Sequence, residues 1–194
     1  LIGAFSSMFN ARSVIDGLSL STPETLGKRI AVPYFCLSDN GLHVSNIGAS
    51  PFDGEGTPTQ NICLVSEGRL ESFLHSEATA RYFGVTPTGH AGLGAKVSVG
   101  PDWFVVNKAE GFDKIAEDIN QGTFKEEYVL IESLSALHAG VKPSQGSFSL
   151  PFDGWVVKGG EKVSIEAATV AGDIQTVLNT IIQIESQQVI THQG

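Results

Sequence analysis

Cysteine is scarce: Cys36 and Cys63 are the only two, and neither belongs to a C-x-x-C pair. The simplest expectation is two reduced, mostly buried thiols in a cytoplasmic protein, since nothing in the sequence asks for a disulfide between them. Positive charge is also short. Twelve basic residues face 21 acidic ones, for a formal charge of −9, and the densest basic stretch is Gly27-Lys28-Arg29. Such a surface repels a phosphate backbone, which argues against nucleic acid as a partner. No apolar run approaches the roughly 18 residues of a membrane span, so no membrane partner is expected. The opening Leu1-Ile2-Gly3-Ala4-Phe5 lacks the basic region and cleavage pattern of a secretory signal. With no initial Met and an abrupt end at Gly194, the chain reads as a part of a longer protein.

Glycine, in contrast, is abundant at 22 residues, and 11 Phe and two Trp join many Val, Ile and Leu. That composition supplies a core and frequent turns. Around Gly159-Gly160, Trp155 and Val157 alternate with Val156 and Lys158, and Val163 and Ile165 with Ser164 and Glu166. Alternation about Gly-Gly predicts a hairpin, followed by a short connection into a helix. A second hairpin is predicted from Asn61–Ser66 and Arg69–Leu74 around Glu67-Gly68, and further strands over Ile30–Leu37, Trp103–Val106 and Tyr128–Glu132. Pro33 marks the Ile30–Leu37 strand as an edge or an interrupted one.

Helices are predicted where apolar residues recur at three and four. Leu1, Phe5, Met8 and Phe9 give one near the start, and Phe112, Ile115, Ala116 and Ile119 another, stopped by Gly122. Thr22-Pro23-Glu24 reads as an N-cap with Pro at the first helical position. Ser76 caps a short helix ending at Gly84, and Asp173 caps a closing one that buries Ile174, Val177, Leu178 and Ile181. The expectation is a single α+β domain over residues 1–194. Its sheet is mainly antiparallel, built of hairpins, with a few packed helices.

Candidate chemistry is thin. Asp53 and Glu55, on the glycine loop Pro51-Phe52-Asp53-Gly54-Glu55-Gly56-Thr57, could act as general acid and base or hold magnesium or calcium. The simpler reading is an Asx-turn at Asp53 and a solvent-facing Glu55, each satisfying loop amides. His90, within Thr86–Gly94, could line a cleft. That glycine loop lacks the G-K-[ST] ending of a phosphate cradle, and Ala95–Val99 after it looks like a strand. His75 reads as a helix-entry or sheet-edge residue. No G-x-S-x-G elbow or local Cys-His pair is present. Trp103 and Trp155 read as packing residues.

Three segments carry a resemblance. Gly146–Asp173, with G-x-F-S, the D-G-W-V-V-K-G-G-E-K hairpin and A-T-V-A-G-D, resembles the C-terminal part of the TldD/PmbA family. Pro51–Gln60 and Gly68–Gly92 resemble the same family in the same order, and together the three cover roughly a third of the chain. The family has been labelled modulators of DNA gyrase and includes zinc peptidase subunits. Active members carry H-E-x-x-x-H: two imidazoles on one helix face and a Glu that takes a proton from zinc-bound water. Here His43, His75, His90, His138 and His192 lie at least fifteen residues apart, so that motif is absent. In the TldD branch it precedes, by a few tens of residues, a segment like Pro51–Gln60, and a cysteine ligand lies near the C-terminus. This chain has only His43 in the first stretch, and neither cysteine is near its end.

The resemblance therefore implies a non-catalytic, PmbA-like (TldE-like) subunit, with no catalytic, cofactor or metal residue in this chain. Zinc would reside in a TldD-type partner. The pair would act in the cytoplasm on unfolded peptides or peptide precursors, as a heterodimer, with a homodimer as the other assembly. The alternatives are an active zinc peptidase whose motif lies outside these residues, and a regulatory or oligomerisation module with no peptidase role.

Overall fold

The computed structural model describes residues 1–110, 127–159, 161–185 and 189–190. The helix predicted over Phe112–Ile119 lies outside them. What is described is an α+β fold in which every ladder between named strands is antiparallel.

The predicted first helix resolves into two pieces. Ile2–Phe9 winds as a 3₁₀ segment interrupted at Phe5 (φ −108°, ψ 21°), and α1 (Ala11–Ile15) follows. Gly3, Ser6 and Ser7 are poor α-formers, and burial of Phe5, Met8 and Phe9 sets the path instead. Asn10 turns the corner, its side chain accepting from the amides of Arg12 (2.9 Å) and Ser13 (3.1 Å). Pro23–Thr25 forms a single 3₁₀ turn capped by Thr22.

One four-stranded sheet runs β3-β2-β1-β6, with β1 Phe35–Asn40, β2 Asn61–Ser66, β3 Arg69–Leu70 and β6 Phe104–Lys108. The strand predicted over Ile30–Leu37 is thus shifted forward, and it lies inside the sheet rather than at its edge. Pro33 falls in the turn before β1, so no ladder donor is missing. The β2–β3 hairpin turns at Glu67 and Gly68, both with positive φ, which matches the twist of the flanking strands. Its second strand is shorter than expected. After Leu70 the chain leaves the sheet so that Phe73 and Leu74 can bury fully, and Leu74 pairs by its backbone with Phe9 and Ala11.

Ser76 caps α2 (Glu77–Phe83), and Gly84 ends it in the left-handed conformation, as the sequence predicts. The strand expected over Ala95–Val99 reduces to β5 (Ser98–Val99), paired with β4 (Ala91–Gly92) inside the glycine loop.

The second sheet runs β10-β9-β7, with β7 Tyr128–Leu134, β9 Ser147–Lys158 and β10 Glu161–Asp173, and β8 (Val141–Lys142) also pairs with β9. The predicted hairpin is present, but its strands are far longer. Phe148, Leu150 and Phe152 are buried in alternation with exposed Ser149, Pro151 and Asp153, which extends β9 back to Ser147. The expected connection before the last helix is itself strand, so β10 runs directly into the cap of α3 (Ile174–Thr180). There Asp173 accepts from the amides of Gln175 (2.9 Å) and Thr176 (3.1 Å).

One apolar cluster joins the N-terminal segment, the first sheet, the start of β9 and α3, through Phe5, Phe9, Leu37, Leu64, Leu150 and Leu178. Phe5 meets Phe148 edge-on at 6.3 Å, and Phe9 meets Phe104 at 5.8 Å. Among the described residues no helix is long and apolar enough to cross a membrane.

Candidate functional site

Strand β1 alternates inward and outward, and its inward residues are Phe35, Leu37 and Asp39. A carboxylate therefore stands where a third apolar residue would complete the stripe. Asp39 is fully buried and accepts from the backbone amides of Asp102 (3.0 Å) and Trp103 (2.8 Å). Those bonds hold the turn before β6 against β1, and the Asn40 amide adds a bond to the Trp103 carbonyl at 2.9 Å.

The glycine loop brings His90 to the same place. Gly89 makes this approach possible: its φ is +76°, and a Cβ there would stand 2.3 Å from the Pro58 carbonyl oxygen. The His90 imidazole is buried, with Nδ1 2.9 Å from Thr88 Oγ1. Thr88 Oγ1 also accepts from the His75 amide (2.7 Å) and donates to the His75 carbonyl (3.2 Å). On the other side of the ring, Nε2 is buried with no hydrogen-bond partner. It points between Asp39 Oδ1 at 3.6 Å and Asp102 Oδ2 at 3.9 Å. Burial raises the Asp102 carboxyl pKa; His90 opposes that, and the charges of Asp39 and Asp53 add to it.

Asp53 does two jobs. Its Oδ1 accepts from the amides of Glu55 and Thr57 and its Oδ2 from the amide of Ala91, all at 2.9 Å. The first two bonds make the Asx-type loop, and the third fastens that loop to β4. Glu55 is drawn elsewhere. Its Oε2 accepts from the Glu77 amide at 2.8 Å, in the first turn of α2, where a carboxylate suits the unpaired N–H groups. Each carboxylate of the loop thus accepts from backbone amides, Asp53 from those of Glu55, Thr57 and Ala91 and Glu55 from that of Glu77. A cleft of about 240 Å³ opens beside the cluster, lined in part by Phe52, Asp53, His90, Ser98 and Asp102.

The remaining candidates are placed apart. His75 is buried at the entry to α2 and meets Phe83 edge-on at 5.3 Å and Phe73 at 6.5 Å. Burial lowers its pKa to about 4, so the ring is neutral at physiological pH. His43 stacks on Trp103 at 5.3 Å, and His138 is exposed. Both thiols are free, and Cys63 is exposed, not buried as expected.

Sequence reasoning missed Asp39, Thr88 and Asp102. Asp39 had a local signal, an acid in the third inward position of the Phe35-Leu37-Asp39 alternation. Asp102 had none, because only the antiparallel pairing of β1 with β6 carries it to the imidazole.

Fold and cleft together define an α+β domain of antiparallel sheets with two aspartates and one imidazole gathered at a cleft. The family model described as the PmbA/TldA metallopeptidase C-terminal domain matches residues 1–193. The chain belongs to the PmbA/TldD family. It is 24% identical over 162 residues to the metalloprotease PmbA of Escherichia coli O157:H7, covering 83% of this chain and 33% of that protein. A metalloprotease TldD homologue of Buchnera aphidicola is 32% identical, but over 74 residues, or 38% of this chain and 15% of that protein.

A crystal structure from Thermotoga maritima, assigned provisionally as a modulator of a DNA gyrase, superposes with a TM-score of 0.78 at 29% identity. It covers 93% of this chain and 40% of that one. TldE from Thermococcus kodakarensis shares the fold, with a TM-score of 0.68 at 20% identity over 92% of this chain and 41% of that one. The chain spans about a third of the length of the curated PmbA relatives it matches.

Proposed function

We propose that the chain is part of a non-catalytic, PmbA-like (TldE-like) subunit of a TldD/PmbA-type metallopeptidase complex. It pairs with a TldD-type subunit that carries the peptidase zinc, and the complex acts on unfolded peptides or peptide precursors in the cytoplasm. The observation that carries this reading is the extent of similarity. It runs over 83% of the chain with PmbA and over 38% with the TldD homologue. The placement of the histidines agrees with it. His75 is enclosed by Phe73 and Phe83, and His90 is the one imidazole of the described His/Cys/Asp/Glu cluster. A peptidase site of the H-E-x-x-x-H type needs two.

The work left for these residues is to form an interface and to wall the chamber in which the partner cuts. Among the described residues β10 is the outer strand of its sheet, and Val163 on it is 65% exposed. Such an edge suits pairing with an extended peptide or with the partner. The test is peptide hydrolysis by the full-length protein, alone and mixed with a TldD-type protein from the same cell. Cleavage by the mixture only is the expected result. Cleavage by this protein alone overturns the proposal and places the motif elsewhere in its chain. No association and no effect on the partner's activity leave it a regulatory module.

A further inference from the structure

We propose that Asp39, His90 and Asp102 bind one first-row divalent metal ion of the zinc type, through His90 Nε2 and one carboxylate oxygen from each aspartate. These ligand atoms all lie within 4.8 Å of one another. In a tetrahedral site with bonds near 2.1 Å, ligand atoms stand about 3.4 Å apart. The separations of 3.6 and 3.9 Å from His90 Nε2 to the two aspartates are close to that, and the Asp102 side chain is 40% exposed.

The arrangement of protons points the same way. With the Thr88 hydroxyl proton directed at the His75 carbonyl, the Thr88 oxygen receives the His75 amide and an Nδ1–H from His90. That leaves a bare lone pair on Nε2, buried and facing two carboxylates. A lone pair so placed is repelled by both acids unless a proton or a metal cation stands between them. The other tautomer fares no better, since its Nε2 is 3.6 Å from the nearer oxygen, too far for a hydrogen bond.

Charge adds to this. Asp39, Asp53 and Asp102 converge here, and among the described residues no lysine or arginine lines the cleft. The supporting contacts are those of a metal site as well. The far nitrogen of the imidazole is fixed by a hydroxyl, and Asp39 is oriented by two backbone amides. One imidazole with two carboxylates favours zinc or manganese over calcium, which takes six to eight oxygens. The ion would clamp β1, the glycine loop and the turn before β6, with the cleft left for water to complete its coordination.

The inference stands apart from the proposed peptidase role, because its readout is binding and not turnover. The full-length protein, purified without a TldD partner and stripped with chelator, is titrated calorimetrically with Zn²⁺. The expected result is one equivalent bound, with affinity reduced at least tenfold in His90→Ala and in Asp102→Asn and unchanged in Cys63→Ser. Asp102→Asn guards against a folding failure of the His90 variant, because its carboxylate is the exposed member of the three. Absence of stoichiometric uptake overturns the proposal. So does uptake that both variants leave intact, or Mg²⁺ binding tighter than Zn²⁺.

Discussion

Lowering the pH should weaken this fold through His75, and the size of the effect follows from where the ring sits. His75 is 3% exposed, edge-on to Phe73 and Phe83, and its Nδ1 is buried without a partner. Desolvation takes its pKa from 6.5 in the unfolded chain to about 4 in the folded one. Between those values the unfolded chain binds the extra proton and the folded chain does not. Stability is therefore lost as the pH falls through 6.5, and the loss levels off below about 4. At 1.36 kcal/mol per pH unit, the full window amounts to about 3 kcal/mol. The raised pKa of Asp102 acts in the opposite sense as the pH falls, so total stability is not the proper readout.

His75→Phe isolates the effect, because it keeps a ring against both phenylalanines and removes the proton site. Urea unfolding of the full-length protein, followed by pulsed hydrogen exchange in peptides spanning residues 61–83, gives the stability of each form at each pH. The variant should gain about 3 kcal/mol on the wild type between about pH 7 and pH 4. Parallel curves for the two proteins, or a gap that narrows on acidification, would refute the reasoning.

Three further outcomes follow from the geometry. Asp53→Ala removes the acceptor of three backbone amides, and it should cost about 2 kcal/mol and speed exchange at Ala91, with Asp53→Asn costing less. A Cβ at Gly154 would stand 2.0 Å from the Leu130 carbonyl oxygen, in the middle of the β7–β9 ladder. Gly154→Ala should therefore cost about 3 kcal/mol or more and raise hydrogen exchange across Tyr128–Leu134, while β1 and β2 stay protected. Gly84→Ala places a side chain at φ +68° with nothing around it to clash, so only the backbone penalty of about 1 kcal/mol is expected, read from the unfolding midpoint.

Local chemistry made much of this protein legible in one dimension. The alternation about Gly159-Gly160 gave a hairpin, Ser76 and Gly84 bounded α2, and Asp173 started α3, because caps and turns act within a few residues of themselves. The three family-like segments likewise gave the family. Where the reading failed, distant packing had won. The strand after Arg69 stops at Leu70 because Phe73 and Leu74 bury against the N-terminal segment, which itself bends at Phe5 to fill the core. β1 starts after Pro33 because its hydrogen-bonding partners are β2 and β6, neither of which its own residues specify.

The candidate site divides along the same line. His90 and Asp53 were visible as polar residues on glycine loops, since only such loops let a backbone approach as closely as Gly89 does. Their chemistry was not visible. The sequence determined hairpins, caps, an acidic surface and membership of the family, all of which depend on neighbours within one turn or strand, or on motif order. Tertiary structure alone decided that Asp39, His90 and Asp102 meet at one point, the first two buried and the third at its exposed side. Residues 63 positions apart in the chain meet there only because antiparallel pairing and loop closure bring them together.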